Sequence, residues 1–209
     1  TLLFIDIKRF STNIMDIESI ENPQTQKPLV DIPDNFYSLK EVNYSGTFTG
    51  FISDFVAFGT LSTAIGNLSI DLAFKPDEKS TTAFSGQVST RELDLGKLTS
   101  NSMLGKTSLK ANVKGSTDYD SNLEAFTDAT IYAIEANDYN YTNIELSGNL
   151  SNKNFVGSIF LDDPNVKLNF MGKVDFSDSL PVFDFSAFVP KLDLVKLNLN
   201  KVDSISQAS

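Results

Sequence analysis

The sequence predicts an all-β protein, and two observations carry that prediction. Apolar and polar residues alternate in stretch after stretch, and the 3.6-residue periodicity of amphipathic helices is nearly missing. Leu68, Ile70, Leu72 and Phe74 are separated by Ser69, Asp71 and Ala73, and Leu109, Ala111 and Val113 by Lys110 and Asn112. Ile144 and Leu146 running on to Leu150 read the same way, as do Val166, Leu168 and Phe170 spaced by Lys167 and Asn169. Successive side chains of a strand point to opposite faces, so each stretch has one apolar and one polar face.

Further strands are expected at 2–7, 43–52, 54–62, 83–90, 129–135, 154–161, 172–176 and 182–189. Short helical candidates are confined to 12–20, with Ser11 as its N-cap, 91–99 and 192–199. That is too little helix to cover a sheet of this size. The stretch from Glu21 to Asp34 carries three prolines and few apolar residues and reads as a linker, and residues 116–122 read as a second loop. The chain therefore divides into an incoming strand and short segment (1–20), a Pro-containing linker (21–40), a first β-repeat region (41–115), a second (123–200) and a tail (201–209).

Composition narrows the chemistry. A hydrophobic content of 41% excludes disorder across the whole chain. The balance of 17 basic to 27 acidic residues gives a formal net charge of -10, which repels phosphate backbones and makes nucleic acid a poor partner. There is no Cys, His or Trp, so thiolate chemistry, imidazole bases, disulfides and His or Cys metal sites are excluded. The N-terminus, Thr1-Leu2-Leu3-Phe4-Ile5-Asp6-Ile7, has no basic region and only a short apolar run. It reads as a strand entered midway, not as a signal peptide or a spanning helix.

Catalytic and metal motifs do not assemble. Gly105-Lys106-Thr107 resembles the end of a phosphate-binding loop, but Ser100 stands where the earlier Gly is needed. Asp118, Asp120 and Asn122 match the first ligands of a calcium loop, yet Leu123 replaces its turn Gly and Ala129 its bidentate Glu, leaving a solvated acidic turn. Asp162 and Asp163 are adjacent, so on a strand they face opposite ways and cannot act as a glycosidase pair. Asp163-Pro164-Asn165 reads as a hairpin turn. No cofactor and no catalytic residue is nominated.

An internal pattern stands out instead. An apolar residue, any residue, Gly and, after one more, another apolar residue recur around Gly46, Gly86, Gly148, Gly157 and Gly172. The string Leu93-Asp94-Leu95-Gly96-Lys97-Leu98 recurs as Leu192-Asp193-Leu194-Val195-Lys196-Leu197. In each glycine copy, Gly shares the parity of its apolar neighbours, leaving a gap in the apolar face. Such a gap permits sharp curvature or the close approach of another group. Two architectures fit this pattern: an ordinary β-sandwich with bulges, or a sheet that curls around something.

Four passages resemble the TamB-like members of the AsmA-like superfamily, in the form found in Bacteroidota. They are Tyr44-Ser45-Gly46-Thr47-Phe48-Thr49-Gly50 through Phe58-Gly59-Thr60-Leu61 to Ile65-Gly66; Phe84-Ser85-Gly86-Gln87-Val88 with Leu93-Asp94-Leu95-Gly96-Lys97-Leu98 and Leu104-Gly105; Tyr139-Asn140-Tyr141-Thr142-Asn143-Ile144 to Gly148; and Phe155-Val156-Gly157-Ser158-Ile159 with Asp162-Asp163-Pro164-Asn165. The resemblance implies an internal, non-enzymatic fragment of a long translocation and assembly module anchored in the inner membrane, with this part in the periplasm. It implies an elongated, antiparallel-rich sheet folded into a taco-like groove that carries lipid acyl chains between the membranes and supports outer-membrane biogenesis. It implies an Omp85-class outer-membrane partner engaged through parts outside this chain. The other reading is a structural or partner-binding β-sandwich module of an envelope or surface protein.

On the groove reading, about eleven strands at ~4.8 Å give a trough on the order of 50 Å long. Exposing an acyl tail to water costs ~0.8 kcal/mol per methylene, which an apolar trough removes without any reaction chemistry. The expected lining is Phe48, Leu68, Ile70, Leu72, Phe74, Leu109, Val113, Leu146, Ile159, Leu168, Phe170, Phe183 and Phe185, with Gly46, Gly86, Gly148, Gly157 and Gly172 curving the sheet.

Overall fold

The computed structural model describes residues 2–19, 32, 34–51, 54–76, 82–117, 123–151, 154–175, 177 and 180–199. Eleven strands pair in strict chain order into one open antiparallel sheet. They are β1 (Leu3–Asn13), β2 (Glu41–Gly50), β3 (Phe55–Thr63), β4 (Gly66–Pro76), β5 (Thr82–Asp94), β6 (Leu104–Thr117), β7 (Leu123–Ala136), β8 (Tyr139–Ser151), β9 (Asn154–Asp162), β10 (Val166–Asp175) and β11 (Val182–Leu192). Residues 41–115 and 123–200 are thus parts of one sheet, joined by the pairing of β6 with β7. The loop expected at 116–122 lies mainly outside the described residues.

The sandwich alternative is not what forms. Among the described residues every substantial strand–strand contact is between sequence neighbours, and no second sheet lies across the apolar face. Ten inter-strand steps at ~4.8 Å make the sheet ~48 Å long.

Register aligns the apolar side chains into rows. One runs Ile5, Phe48, Ala57, Leu72, Gly86, Val113, Thr127, Gly148, Gly157, Gly172, Phe185 across all eleven strands. Parallel rows on the same face pass through Phe55, Phe74 and Phe84, through Ile70, Val88 and Ala111, and through Leu61, Leu68 and Thr90. Alternation holds that face apolar because a one-residue slip would turn every one of these side chains outward.

Buried side chains gather at one rim. Of the ten buried hydrophobic residues among those described, eight (Ile14, Ile32, Val42, Ile65, Leu93, Leu161, Val166 and Leu197) lie where β1, β3, β5, β7, β9 and β11 end; Ala111 and Val174 are the exceptions. Three local devices pack there. Helix α1 (Ile14–Glu18) is capped by Asn13, whose side chain accepts from the Met15 N–H at 3.0 Å. Asn13, not Ser11, is therefore the N-cap, and Ser11 donates to Asn43 on β2. Ile14, Ile32 and Val42 form a cluster with Tyr37 and Leu39 of a 3-10 helix (Asp34–Leu39), so the end of the expected linker is ordered packing.

Helix α2 (Leu95–Thr99) begins at Asp94, which accepts from the Lys97 N–H at 3.0 Å and pairs with its ammonium at 2.8 Å. The turn after β11 repeats this: Asp193 accepts from the Lys196 N–H at 3.2 Å and pairs with its ammonium at 3.4 Å. The recurring Leu-Asp-Leu string is thus a recurring local structure. Register shifts precede all three devices, between Ile7 and Phe10, between Thr90 and Leu93, and between β10 and β11 beside Lys167 and Asn169. A bulge adds twist and bends a strand, here just before the chain turns over the rim.

Candidate functional site: an uncharged apolar face

All thirteen residues expected to line a groove fall in the apolar rows, on one face. Sequence alternation left out several that share it, among them Tyr44, Phe55, Phe84, Leu150 and Phe155. The signal for these was present in Phe55-Val56-Ala57 and in Phe84 and Phe155, each placed two residues before a glycine. Among the described residues, no charged side chain occupies these rows; Asp, Glu, Lys and Arg are confined to the polar face, the bulges and the turns.

Among the described residues the face is packed mainly along the one rim, with Ala111 and Val174 buried away from it. Leu197 reaches 0% exposure against Leu161 and Val166, with Tyr139, Tyr141, Ile144 and Leu168 around it. Away from that rim most of these side chains are half-buried, because strand neighbours cover their flanks and nothing from another layer covers their tips. Phenylalanines concentrate at the two ends of the sheet. Phe48, Phe55 and Phe74 stack in series at centroid distances of 4.5 and 4.9 Å, and Phe185 lies 5.1 Å from Phe170 and 6.2 Å from Phe183. Between them, β6 and β7 present the small side chains of Ala111, Ala125 and Ala129.

The glycines occupy mid-strand positions in the same rows. Gly148 and Gly157 face each other across β8 and β9, and a Cβ on Gly157 would lie 2.6 Å from the Gly148 Cα. The Phe155 ring covers both, with ring atoms 2.7 and 2.8 Å from where the two Cβ atoms would be. Gly86 has φ of +147°, a conformation other residues rarely adopt, and a Cβ there would overlap the Asp71 carbonyl oxygen. Gly172 pairs with Gly157, extending the small row, and Gly46 pairs with Gly59 in the adjacent row that passes through Ile70.

Tyr44 and Asp163 near the face are hydrogen-bonded. The Tyr44 hydroxyl donates to the Phe58 carbonyl at 3.1 Å, and burial raises its pKa. Asp163, 1% exposed in the β9–β10 turn, is the most heavily bonded carboxylate at the packed rim. It accepts from the Tyr139 hydroxyl at 2.5 Å, the Thr142 N–H at 3.0 Å and hydroxyl at 2.9 Å, and the Asn165 N–H at 2.8 Å. Burial alone would raise its pKa; the bonds from Tyr139, Asn165 and Thr142 outweigh burial and hold it below the usual carboxylate value. Burial, followed by that bond, raises Tyr139. Asp162, its neighbour, points outward and pairs with Lys167 at 2.6 Å. The two carboxylates serve different faces.

Among the described residues no group of three or more Asp or Glu is placed to hold a metal ion, and no helix is long and apolar enough to cross a membrane. Asp118, Asp120 and Asn122 lie outside the described residues. Lys106 and Thr107 lie on β6, where Thr107 is buried and donates to the Ala133 carbonyl at 3.1 Å. A strand interior offers no phosphate loop. No family model, no curated protein and no solved structure matches this chain.

Proposed function

We propose that this chain is a non-enzymatic, lipid-bearing segment whose apolar face carries or shields acyl chains, as a TamB/AsmA-like resemblance implies. The observation that supports it is a ~48 Å run of charge-free apolar rows over which no described residue forms a second layer. An apolar face this large, left half-buried, is costly in water and cheap against hydrocarbon. Phenylalanine and aliphatic side chains suit a tolerant wall, since they bring no polar atoms that need partners.

On this reading the segment sits in the periplasm between the two membranes, takes phospholipid or other acyl chains, and supports outer-membrane biogenesis. The inner-membrane anchor and the Omp85-class partner belong to other parts of the protein. Protein purified from cells should retain phospholipid, read by native mass spectrometry and chloroform extraction, and photoreactive residues at Ile70 and Phe170 should crosslink to it. Lipid-free protein with no crosslinks at either position would sink the proposal. A partner-binding module is the second reading, and one observation favours it: every residue of the edge strand β11 is exposed, leaving a free ladder for another strand.

A further inference from the structure

On the polar face, one row carries two exposed aromatic rings two strands apart. Register places Lys110, Thr130, Glu145, Phe160, Asn169 and Phe188 side by side across β6 to β11. Phe160 is 46% exposed and Phe188 64%, both on the polar face, which also exposes Phe58, Phe126, Val156 and Met171 among its Ser, Thr, Asn and charged groups. The four polar members are exposed and none bonds to another side chain. In the adjacent row, by contrast, Gln87 donates to Asn112 at 3.1 Å and Ser147 to Asp128 at 2.5 Å. A hollow of about 320 Å³ lies over β6 to β9, lined by Lys110, Thr130, Glu145 and Phe160 from the first row and by Asn112 and Asp128 from the second.

We propose that this row is a binding site for an extended, uncharged oligosaccharide, separate from the apolar face. Three features point to that ligand class. The two aromatic rings stand two strands apart, ~9.6 Å, and an extended chain of pyranose rings advances by close to one strand spacing per ring, so both rings can stack on alternate sugars. Asn169 lies between the rings, and Thr130 and Glu145 continue the row, offering a carboxylate, an amide and a hydroxyl at one-ring intervals to sugar hydroxyls. Finally, Lys110 and Glu145 cancel, so the row is neutral in a chain of net charge -10, which disfavours a polyanion. The ladder fixes these groups on a rigid sheet, so little ordering is needed on binding.

The test is a titration of isotope-labelled protein with cellohexaose and chitohexaose, followed by amide shifts, with maltohexaose as a chain that coils instead of extending. Saturable shifts in β8 to β11 are expected with one or both extended probes. Phe160→Ala and Phe188→Ala should each weaken binding about tenfold, while Phe160→Leu, kept as a folded control, weakens it less. Lipid retention should not change in any of them, because both rings face away from the apolar rows. No saturable shift with either extended probe, equal binding of maltohexaose, or undiminished binding in both alanine variants would overturn the proposal. A site that instead takes a protein partner would show the first of these.

Discussion

An aspartate placed at two positions separates an uncovered apolar face from a closed core. Ile70 lies in the middle of β4 on the apolar face, half-buried with only strand neighbours against it, whereas Leu197 is 0% exposed in the rim cluster. Full burial of an aliphatic side chain is worth ~1.5–3 kcal/mol, so Ile70→Asp forfeits about half of that, plus up to ~1 kcal/mol for a poor strand former. The sum is about 2 kcal/mol. At Leu197 the whole transfer term is lost, and a carboxyl must be buried without a partner, bringing the cost to at least ~4 kcal/mol. Urea unfolding followed by circular dichroism measures both. The Ile70→Asp protein should keep a cooperative transition and native strand content while losing retained lipid; the Leu197→Asp protein should be largely unfolded or strongly shifted. If Ile70→Asp destabilises as much as Leu197→Asp, the face is covered in solution and the argument from an open sheet fails.

Two other perturbations follow from the same geometry. Asp163→Ala removes the acceptor of four hydrogen bonds and strands the Tyr139 hydroxyl and Thr142 N–H, which should cost ~3–5 kcal/mol in urea, against a smaller loss for Asp163→Asn. Because the folded pKa of Asp163 is depressed, its contribution is present above the ordinary carboxylate pKa and disappears as pH falls through the folded value, so the wild-type and alanine curves should converge in strong acid; a gap that persists there would refute the assignment. Gly86→Ala adds one methyl group on a face with free space above it, yet should destabilise by more than ~1 kcal/mol, because the φ of +147° and the Asp71 carbonyl leave no place for a Cβ; a neutral result in thermal unfolding would show that β5 can relax.

The strands were legible because alternation is a local signal, and the shared face was legible because glycine kept the same parity as its apolar neighbours. What lay beyond the sequence was non-local. The bulges at Thr90/Leu93 and beside Asn169 reset parity without a distinctive residue type, so the ends of β5 and β11 could not be followed. β7 begins at Leu123, earlier than the expected 129, because Ala125, Thr127 and Ala129 are too small to mark an apolar face until β6 and β8 pair beside them. Nothing in Asp163-Pro164-Asn165 beyond a turn foretells the bonds from Tyr139 and Thr142, which come from β8, 24 and 21 residues back in sequence. The choice between a sandwich and an uncovered sheet was likewise invisible, since either places the same alternation on each strand and only the pairing order decides it.

That pairing order also explains why stability and binding need not compete in this fold. In a sandwich the apolar face is the core, and opening it to a ligand costs the packing that holds the two sheets together. Here the ladders run between sequence neighbours, the well-packed clusters of Ile14, Ile32 and Val42 and of Leu161, Val166 and Leu197 sit along one rim, and among the described residues no second layer closes the apolar rows beyond them. Strand–bulge–turn devices end in an Asn or Asp cap after β1, β5 and β11, so the rim is anchored at both ends of the sheet and near its middle. On the proposed function, a sheet fastened along one edge would keep its register while its apolar face exchanged acyl chains. The glycine rows serve the same division: they let neighbouring backbones and the Phe155 ring approach closely without adding side chains that would have to be displaced. Hydrocarbon laid along the rows would then gain the transfer free energy that a second protein layer takes in a sandwich, and would gain it without disturbing the clusters on which the fold depends.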